Sequence, residues 1–511
     1  MAVLQRRSLL ILAFALIAGF YVYDLANTPV YFGGDEAHFA VGAHAIATTG
    51  RNVNGDRMPV FINLADPAGG AQQPWGDTWY QPLLFYVTAL FVKLLPFTIA
   101  TVRLPVALIG GLLTPLLLFA VARRMIGDDF PAAVAALIVA LAPTHVVLSR
   151  QALDYVLPLP FVIVWLWCLH RYMADRERRH LVAASAILGI GCYSYIASWM
   201  IMPCFLLITW VLAYRRGATI AELALAAIAF AAAPLAGVAW MAAHPEMFWQ
   251  TLARYGVTEG PKYGLLETYA SLLKPTVLFL RGGASPVTST ARSGFVLAPA
   301  AVLLVAGVVA LLRRRDWVAF VIAAGLIVAP VPAAFKGEPT MIQRATYVLP
   351  FLGLLGGFGL AYLWRSSSRW MHAVVVAVLA ASVVQFGYFY FDYFGHYKLR
   401  SAFYYDPAAF HDVSEYLLTD AGAPAFYFTD DVDDAPVKWR FYALQRHRED
   451  AVSRAHYVGT GAVPAAPLQS LFVTYDLNDR LEALKRGGWV VEKLISDVDQ
   501  RPAAVILRKV Q

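Results

Sequence analysis

Long apolar runs separated by short polar segments dominate the first 394 residues of the chain. A helix that crosses a bilayer needs about 20 mostly apolar residues, and this pattern therefore predicts an α-helical polytopic membrane protein. The eleven predicted spans are Leu9–Leu25, Thr101–Ala122, Pro131–Leu148, Tyr155–Leu169, Leu181–Ala197, Trp199–Tyr214, Ile220–Ala242, Gly294–Leu312, Trp317–Ala334, Ala345–Trp364 and Trp370–Phe391.

A further apolar run, Pro82–Pro96, is short and carries Lys93, which favours an amphipathic helix on the membrane surface over a span. With this run left out, every arginine cluster falls on the side of Arg6 and Arg7. The positive-inside rule makes that side cytoplasmic, so the loop 28–100 lies outside. The clusters are Arg123 and Arg124, Arg171 with Arg176, Arg178 and Arg179, Arg215 and Arg216, Arg313 to Arg315, and Arg365 with Arg369.

The pattern changes from about Gly395 onward. Asp406 followed by Pro407 is typical of a helix start, and short apolar segments separated by turns follow. We expect residues 1–394 to form the membrane domain and residues 395–511 a small extracytoplasmic α/β domain. Its predicted elements are strands Ala425–Phe428, Leu471–Tyr475, Trp489–Ile495 and Ala503–Leu507, and a helix Asn478–Lys485 closed by Gly487.

Composition agrees with the membrane class. Hydrophobic residues make up 59% of the chain and charged residues 15%, with a mean hydropathy of +0.57. The net charge is +7, but most of the basic residues lie in clusters beside the apolar runs. This distribution argues against a nucleic-acid partner. All three cysteines lie inside apolar runs and imply no disulfide framework. We interpret the first run as a retained anchor, in a multi-pass protein of the inner (plasma) membrane with a cytoplasmic N-terminus.

Candidate chemistry begins directly after the first run. Asp35 and Glu36 follow Gly33 and Gly34 at a predicted helix start. Such a pair could simply cap the helix, or it could be catalytic. Its position at the membrane exit, upstream of the surface helix, favours catalysis.

With this acidic pair, the order of several motifs along the chain resembles the protein O-mannosyltransferase group. The nearest branch is bacterial and includes the aminoarabinose transferases of lipid A and the galacturonosyl transferases of lipopolysaccharide cores. The resemblance covers roughly the first 215 residues well. The motifs are Gln81-Pro82-Leu83-Leu84-Phe85-Tyr86, Val102-Arg103-Leu104-Pro105, Ser149-Arg150-Gln151-Ala152-Leu153-Asp154-Tyr155 and Gln343-Arg344-Ala345-Thr346-Tyr347-Val348-Leu349-Pro350.

The resemblance implies a GT-C fold and transfer of a sugar from a polyprenyl-phosphate carrier to a hydroxyl of a lipid, glycan or protein outside the membrane. It makes Asp35 the expected base and Asp154 a second catalytic carboxylate. Glu36 would support Asp35 through its like charge or by holding the loop. The residues fit this chemistry, because a departing phosphate needs cations and no general acid.

Arg344, at the outer start of a predicted span, is our main candidate for the donor phosphate, although it could equally anchor the helix end. The weaker candidates in the outer loops are Lys262, Lys274, Arg281, Arg292 and Lys336. No cofactor is required by this reaction. A divalent metal could take part but is not indicated.

We expect Tyr80, Gln81, His244 and Tyr347 to bind substrate. His244 lies at the end of a predicted span and could instead cap the helix or pack against it. In the aminoarabinose branch a Glu-Lys pair stands where this chain has Tyr80-Gln81, so a metal ligand and a phosphate-binding cation are missing from this position.

Two alternative interpretations remain. The segment Thr429–Asp434 contains an Asp-x-Asp, which is typical of nucleotide-sugar transferases. Because nucleotide sugars are not expected outside the cytoplasm, we interpret the segment as a solvated acidic turn. A lipid or sugar transporter is the alternative function, but the predicted spans contain almost no acidic residues, which favours chemistry at the surface.

Overall fold

The computed structural model describes residues 15–64, 78–254, 263–429, 432, 434–459 and 461–511. Within these residues seven helices are long and apolar enough to cross a membrane. The pair Asp129–Ala140 and Pro143–Ser149, bent by 59°, makes an eighth when the two helices are counted as one broken span. Pro143 at the bend lacks the N–H that a continuous helix needs. The seven are Ile99–Ile126, Asp154–Asp175, Ser198–Arg215, Ile220–Ala243, Trp317–Phe335, Ile342–Trp364 and Arg369–Phe394.

Eight of the predicted spans therefore have a counterpart among the described residues. Two others are the shorter helices Arg178–Gly191 and Ala300–Arg314, of 14 and 15 residues. The predicted span Leu9–Leu25 lies partly outside the described residues, and residues 15–22 of it are helical. The predicted class of polytopic helical protein is confirmed, whereas the count of eleven stays a prediction.

Shorter elements lie between these spans or within them. The Pro82 helix, as we call Pro82–Leu94, has 13 residues, buries Leu84 and Phe85, and exposes Leu90 and Leu94. An exposed apolar face on so short a helix suits the membrane surface. The others are helices Gly34–Thr49, Pro245–Arg254, Leu265–Leu272 and His396–Tyr405, 3₁₀ turns Asp154–Val156 and Ile342–Val348, π-helical turns Val106–Leu113 and Thr276–Arg281, and paired strands Ile62–Asn63 and Trp79–Tyr80.

The C-terminal residues form a five-stranded mixed sheet. Three neighbouring strands run parallel to one another. The fourth strand in the sheet is antiparallel to the neighbour on each of its sides. In spatial order the strands are Ala455–Val458, Phe426–Thr429, Leu471–Thr474, Pro502–Lys509 and Trp489–Ser496, with helices Phe410–Thr419, Ala435–Gln445, Glu449–Ser453 and Asp479–Arg486.

The four predicted strands and the helix before Gly487 are confirmed. The short strand Ala455–Val458 was missed, because its four residues follow a helix without a turn signal and show no alternation. The helix predicted at Asp406 begins later, at Phe410.

This C-terminal domain packs directly on the helix Gly34–Thr49, which we call the Asp35 helix. The ring centroids of Phe32 and Phe441 lie 4.4 Å apart, and those of Phe97 and Phe441 lie 5.1 Å apart. One apolar core includes Ala37 of the Asp35 helix and Trp439 of the C-terminal domain. The two predicted regions therefore meet at the acidic pair.

Candidate active site

A cavity of about 340 Å³ opens beside the Asp35 helix. Its wall combines two carboxylates, three cations and several aromatic rings, and we call it the Asp35 cavity. Six separate segments of the chain meet there. The lining residues are Asp35, Phe39, Thr78, Trp79, Tyr80, Gln81, Leu153, Asp154, Tyr155, Tyr195, Ile196, Arg254, Lys336 and Arg344.

Asp35 stands in the first turn of its helix, where the helix dipole favours negative charge. The turn begins at Gly33, whose N–H donates to Oε2 of Glu36 at 3.1 Å. Burial in the cavity wall and the nearby Asp434 carboxylate raise the pKa of the Asp35 carboxyl, while His38 and Arg254 oppose the rise. A raised pKa makes the ionised carboxylate a stronger proton acceptor.

Glu36 faces away from the cavity and is 1% exposed. Arg103 donates to its two oxygens from Nε and Nη2, each at 2.8 Å, and the Ala152 N–H donates to Oε1 at 2.8 Å. With the Gly33 contact, four donors surround this carboxylate. Of the two supporting roles expected for Glu36, this geometry favours holding the loop.

Two buried arginines organise the chain between the first helix and the Asp35 helix. Arg103 also donates to the carbonyls of Leu25, Pro29 and Tyr31. Arg150 donates to the carbonyls of Phe20, Tyr21, Tyr23 and Thr28. Both arginines belong to motifs that carried the resemblance, but their role as buried carbonyl clamps was not predicted.

Tyr80 and Gln81 line the cavity, as the prediction that they bind substrate requires. The Tyr80 ring packs edge-on against Phe39 at 5.1 Å, and Gln81 accepts a hydrogen bond from the Trp199 indole at 3.3 Å. The position where the aminoarabinose branch has a Glu-Lys pair is thus at the cavity.

Cations reach the cavity from other segments. Arg344, predicted for the donor phosphate, lines it with its guanidinium 5.9 Å from the Tyr195 ring centroid. Arg254 and Lys336 line it as well, and Arg254 was not predicted. Arg254 ends the helix Pro245–Arg254, which is tied to the cavity by a 2.7 Å hydrogen bond from the Trp79 indole to Gln250.

Three predicted residues do not reach the cavity wall. The Tyr347 hydroxyl is fully buried against Ser198 at 2.8 Å. His244 stacks on Trp240 with ring centroids 4.3 Å apart, which matches the packing alternative. Arg281 is exposed at the end of its π-helical turn. Lys262 lies outside the described residues.

The acidic segment Thr429–Asp434 departs from the prediction of a solvated turn. Asp430, Asp431 and Asp433 lie outside the described residues, but the Asp434 side chain is only 11% exposed and lies 3.0 Å from Nε2 of His38. The end of this segment is therefore buried against the Asp35 helix.

Among the residues that the structure describes, no group of three or more His, Cys, Asp or Glu side chains could hold a metal ion. The expectation that the reaction needs no metal stays a prediction.

Part of the chain matches a known protein family. Residues 74–240 match the family model described as dolichyl-phosphate-mannose-protein mannosyltransferase. No curated protein sequence matches the chain. The family match includes the Pro82 helix, Arg103 and Asp154, and it ends within the span Ile220–Ala243.

Solved structures share the fold over most or all of the chain. ArnT from Cupriavidus metallidurans bound to undecaprenyl phosphate has a TM-score of 0.61 at 16% identity, over 98% of both chains. Its apo state has a TM-score of 0.62 at 17% identity, over 100% of this chain and 99% of that one. The oligosaccharyltransferase AglB from Archaeoglobus fulgidus, in complex with an inhibitory peptide and a dolichol-phosphate, has a TM-score of 0.50 at 14% identity, over 84% of this chain and 63% of that one.

The chain therefore has the GT-C fold. The family match over residues 74–240 and the shared fold confirm the resemblance predicted from the sequence.

Proposed function

We propose that this protein transfers a sugar from a polyprenyl-phosphate donor to a hydroxyl acceptor, with inversion at the anomeric carbon. The observation that carries the proposal is the Asp35 cavity, which holds Asp35 and Asp154 together with Arg254, Lys336 and Arg344. Undecaprenyl phosphate in ArnT and dolichol-phosphate in AglB support a lipid phosphate as the ligand of such a fold. AglB is an oligosaccharyltransferase, and the family model that matches residues 74–240 describes a mannosyltransferase, which favours this function over a lipid or sugar transporter.

In the proposed step, the Asp35 carboxylate takes the proton of the acceptor hydroxyl while the oxygen attacks the anomeric carbon. The bond between that carbon and the phosphate oxygen breaks, and the lipid phosphate leaves with the electron pair. The cations compensate the charge that develops on the phosphate. One displacement at one carbon inverts its configuration, and no covalent sugar–enzyme intermediate forms.

The distribution of charge supports an extracytoplasmic site. The span Ile99–Ile126 begins beside Glu36, which Arg103 contacts, and ends at Arg123 and Arg124. Twenty helical residues rise about 30 Å, roughly the thickness of the hydrocarbon core. The cavity thus lies at the opposite end of this span from the basic cluster that the positive-inside rule assigns to the cytoplasm.

The experiment that tests this function is sugar transfer by purified protein from an undecaprenyl-phosphate-linked sugar. We expect Asp35→Asn to lower the turnover rate by about 10²-fold or more, because general-base catalysis contributes 10²–10⁴-fold. The variant is close in size and should fold and insert normally. Full turnover by Asp35→Asn would remove Asp35 as the base.

A matched control is Asp479→Asn, which removes an exposed carboxylate from a helix that does not line the cavity. It should leave turnover unchanged.

A further inference from the structure

The C-terminal domain places a carboxylate against the proposed catalytic turn. Asp434 precedes the helix Ala435–Gln445 and has a positive φ of 61°. Its Oδ1 lies 3.0 Å from Nε2 of His38, and the two side chains are 11% and 10% exposed. The imidazole N–H donates to the carboxylate, and the contact joins residues 396 positions apart in the chain.

Gly34 makes this approach possible. A Cβ atom on Gly34 would lie 1.7 Å from Oδ2 of Asp434, closer than any contact that atoms can tolerate. The neighbouring residue in the chain is Asp35, so the carboxylate of Asp434 is seated on the backbone that carries the base. A glycine is needed at position 34 because Asp434 of the C-terminal domain approaches the backbone there so closely.

We propose that Asp434 and His38 form a clamp through which the C-terminal domain positions Asp35 and sets its protonation. Asp434 is a positioning residue, because it acts through Asp35 and does not line the cavity. The inference rests on the proposed function of Asp35 and deepens it. It also gives a role to the acidic segment that the sequence alone suggested was solvated.

The charges around Asp35 fix the direction of the effect. Asp434 and Glu36 act on Asp35 as like charges, whereas His38 and Arg254 act as opposite charges. Asp154 faces it across the cavity. Removing the Asp434 charge should lower the pKa of Asp35, and removing the His38 imidazole should raise it.

The test is the pH dependence of kcat/KM for sugar transfer by the full-length protein. Because Asp35 must be ionised to accept a proton, activity falls as pH drops through its pKa. Asp434→Asn should move this acid limb to lower pH by about one unit, the size of a nearby charge effect. His38→Gln should move it to higher pH. Asn tolerates a positive φ as well as Asp does.

Opposite shifts in the two variants would support the clamp, since damage to packing alone lowers the plateau and leaves the limb in place. Unchanged limbs in both variants, or shifts in the same direction, would overturn it. Asp479→Asn should match the parent protein in both plateau and limb.

A second measurement needs no activity and so separates the clamp from the proposed function. Gly34→Ala should lower the melting temperature of the purified protein, and adding Asp434→Gly should restore most of the loss because the clashing side chain is gone. If the double variant is as unstable as the sum of the single variants, the contact is absent and the inference fails. If the wild-type protein transfers no sugar but the double variant recovers its stability, the proposed function is wrong and the contact between Gly34 and Asp434 is still supported.

Discussion

At the scale of single residues, neighbouring carboxylates have different tasks. Asp35 lines the cavity, and Glu36, one position later, is enclosed by four donors that include Arg103. The sequence predicted that this pair matters but could not divide the roles, because a helix turn points adjacent side chains about 100° apart. The direction of each depends on what packs beside the helix. Arg103 comes to lie beside Glu36 only when the chain folds.

The residues predicted to bind the donor phosphate also differ in where the structure places them. The sequence offered Arg344 and five weaker candidates for the donor phosphate, and of these Arg344 and Lys336 line the cavity. Arg254 was missed because it ends a short helix with no motif around it. Its position depends on the contact between Trp79 and Gln250, which joins distant parts of the chain.

We predict that Arg344→Ala lowers kcat/KM for the polyprenyl-phosphate donor by roughly tenfold to a hundredfold. A hydrogen bond to a charged group contributes about 1.5–3 kcal/mol, and each 1.4 kcal/mol is a factor of ten. Steady-state kinetics with varied donor would measure the loss, and Arg344→Lys should recover part of it.

Arg281→Ala is the comparison variant, since the structure leaves this arginine exposed and away from the cavity. Its kcat/KM for the donor should stay near the parent value. A larger loss in Arg281→Ala than in Arg344→Ala would reverse the two assignments.

At the scale of elements, the loop that leads to the Asp35 helix is held by side chains instead of regular hydrogen bonding. Arg103 and Arg150 together donate to seven carbonyls along this segment. Because both arginines are fully buried, their guanidinium groups donate hydrogen bonds to the protein and not to water. The motifs around them were readable from the sequence as marks of a family. Their mechanical role was not, since the carbonyls they bind carry no sequence signal.

We predict that Arg103→Met destabilises the protein strongly. Removing one partner of a buried ion pair costs about 3–5 kcal/mol, because the remaining Glu36 charge has no compensation. The melting temperature of detergent-purified protein should fall clearly, along with the yield of folded material.

Arg123→Met is a control on the same continuous helix. Arg123 pairs with Asp129 on the surface, and an exposed pair contributes at most about 1 kcal/mol. Equal destabilisation by the two variants would mean that the buried pair does not hold the loop.

At the scale of the whole molecule, the apolar pattern predicted the helical bundle and the C-terminal sheet. The class and most element positions followed from run length and periodicity. The count of eleven spans stays a prediction, because Arg178–Gly191 and Ala300–Arg314 form helices shorter than their apolar runs and the first predicted span lies partly outside the described residues. Contact between the C-terminal domain and the Asp35 helix was also hidden, since it depends on Phe32 and Phe441 meeting across the fold.

Topology gives a prediction at this scale. The arginine clusters predict an odd number of crossings from a cytoplasmic N-terminus, so a reporter enzyme fused after Gln511 should be active only outside the cytoplasm. Alkaline phosphatase, which needs an oxidising compartment, would be active, and a cytoplasmic fluorescent reporter would be dark. The reverse pattern would mean that the span count is off by one.

The most direct test of the account is a structure of the protein with undecaprenyl phosphate bound. We predict that the phosphate lies in the Asp35 cavity within hydrogen-bonding distance of Arg344, Arg254 or Lys336, with the Asp35 carboxylate facing the space left for the sugar. A phosphate bound outside this cavity, or an Asp35 carboxylate turned away from it, would contradict the account.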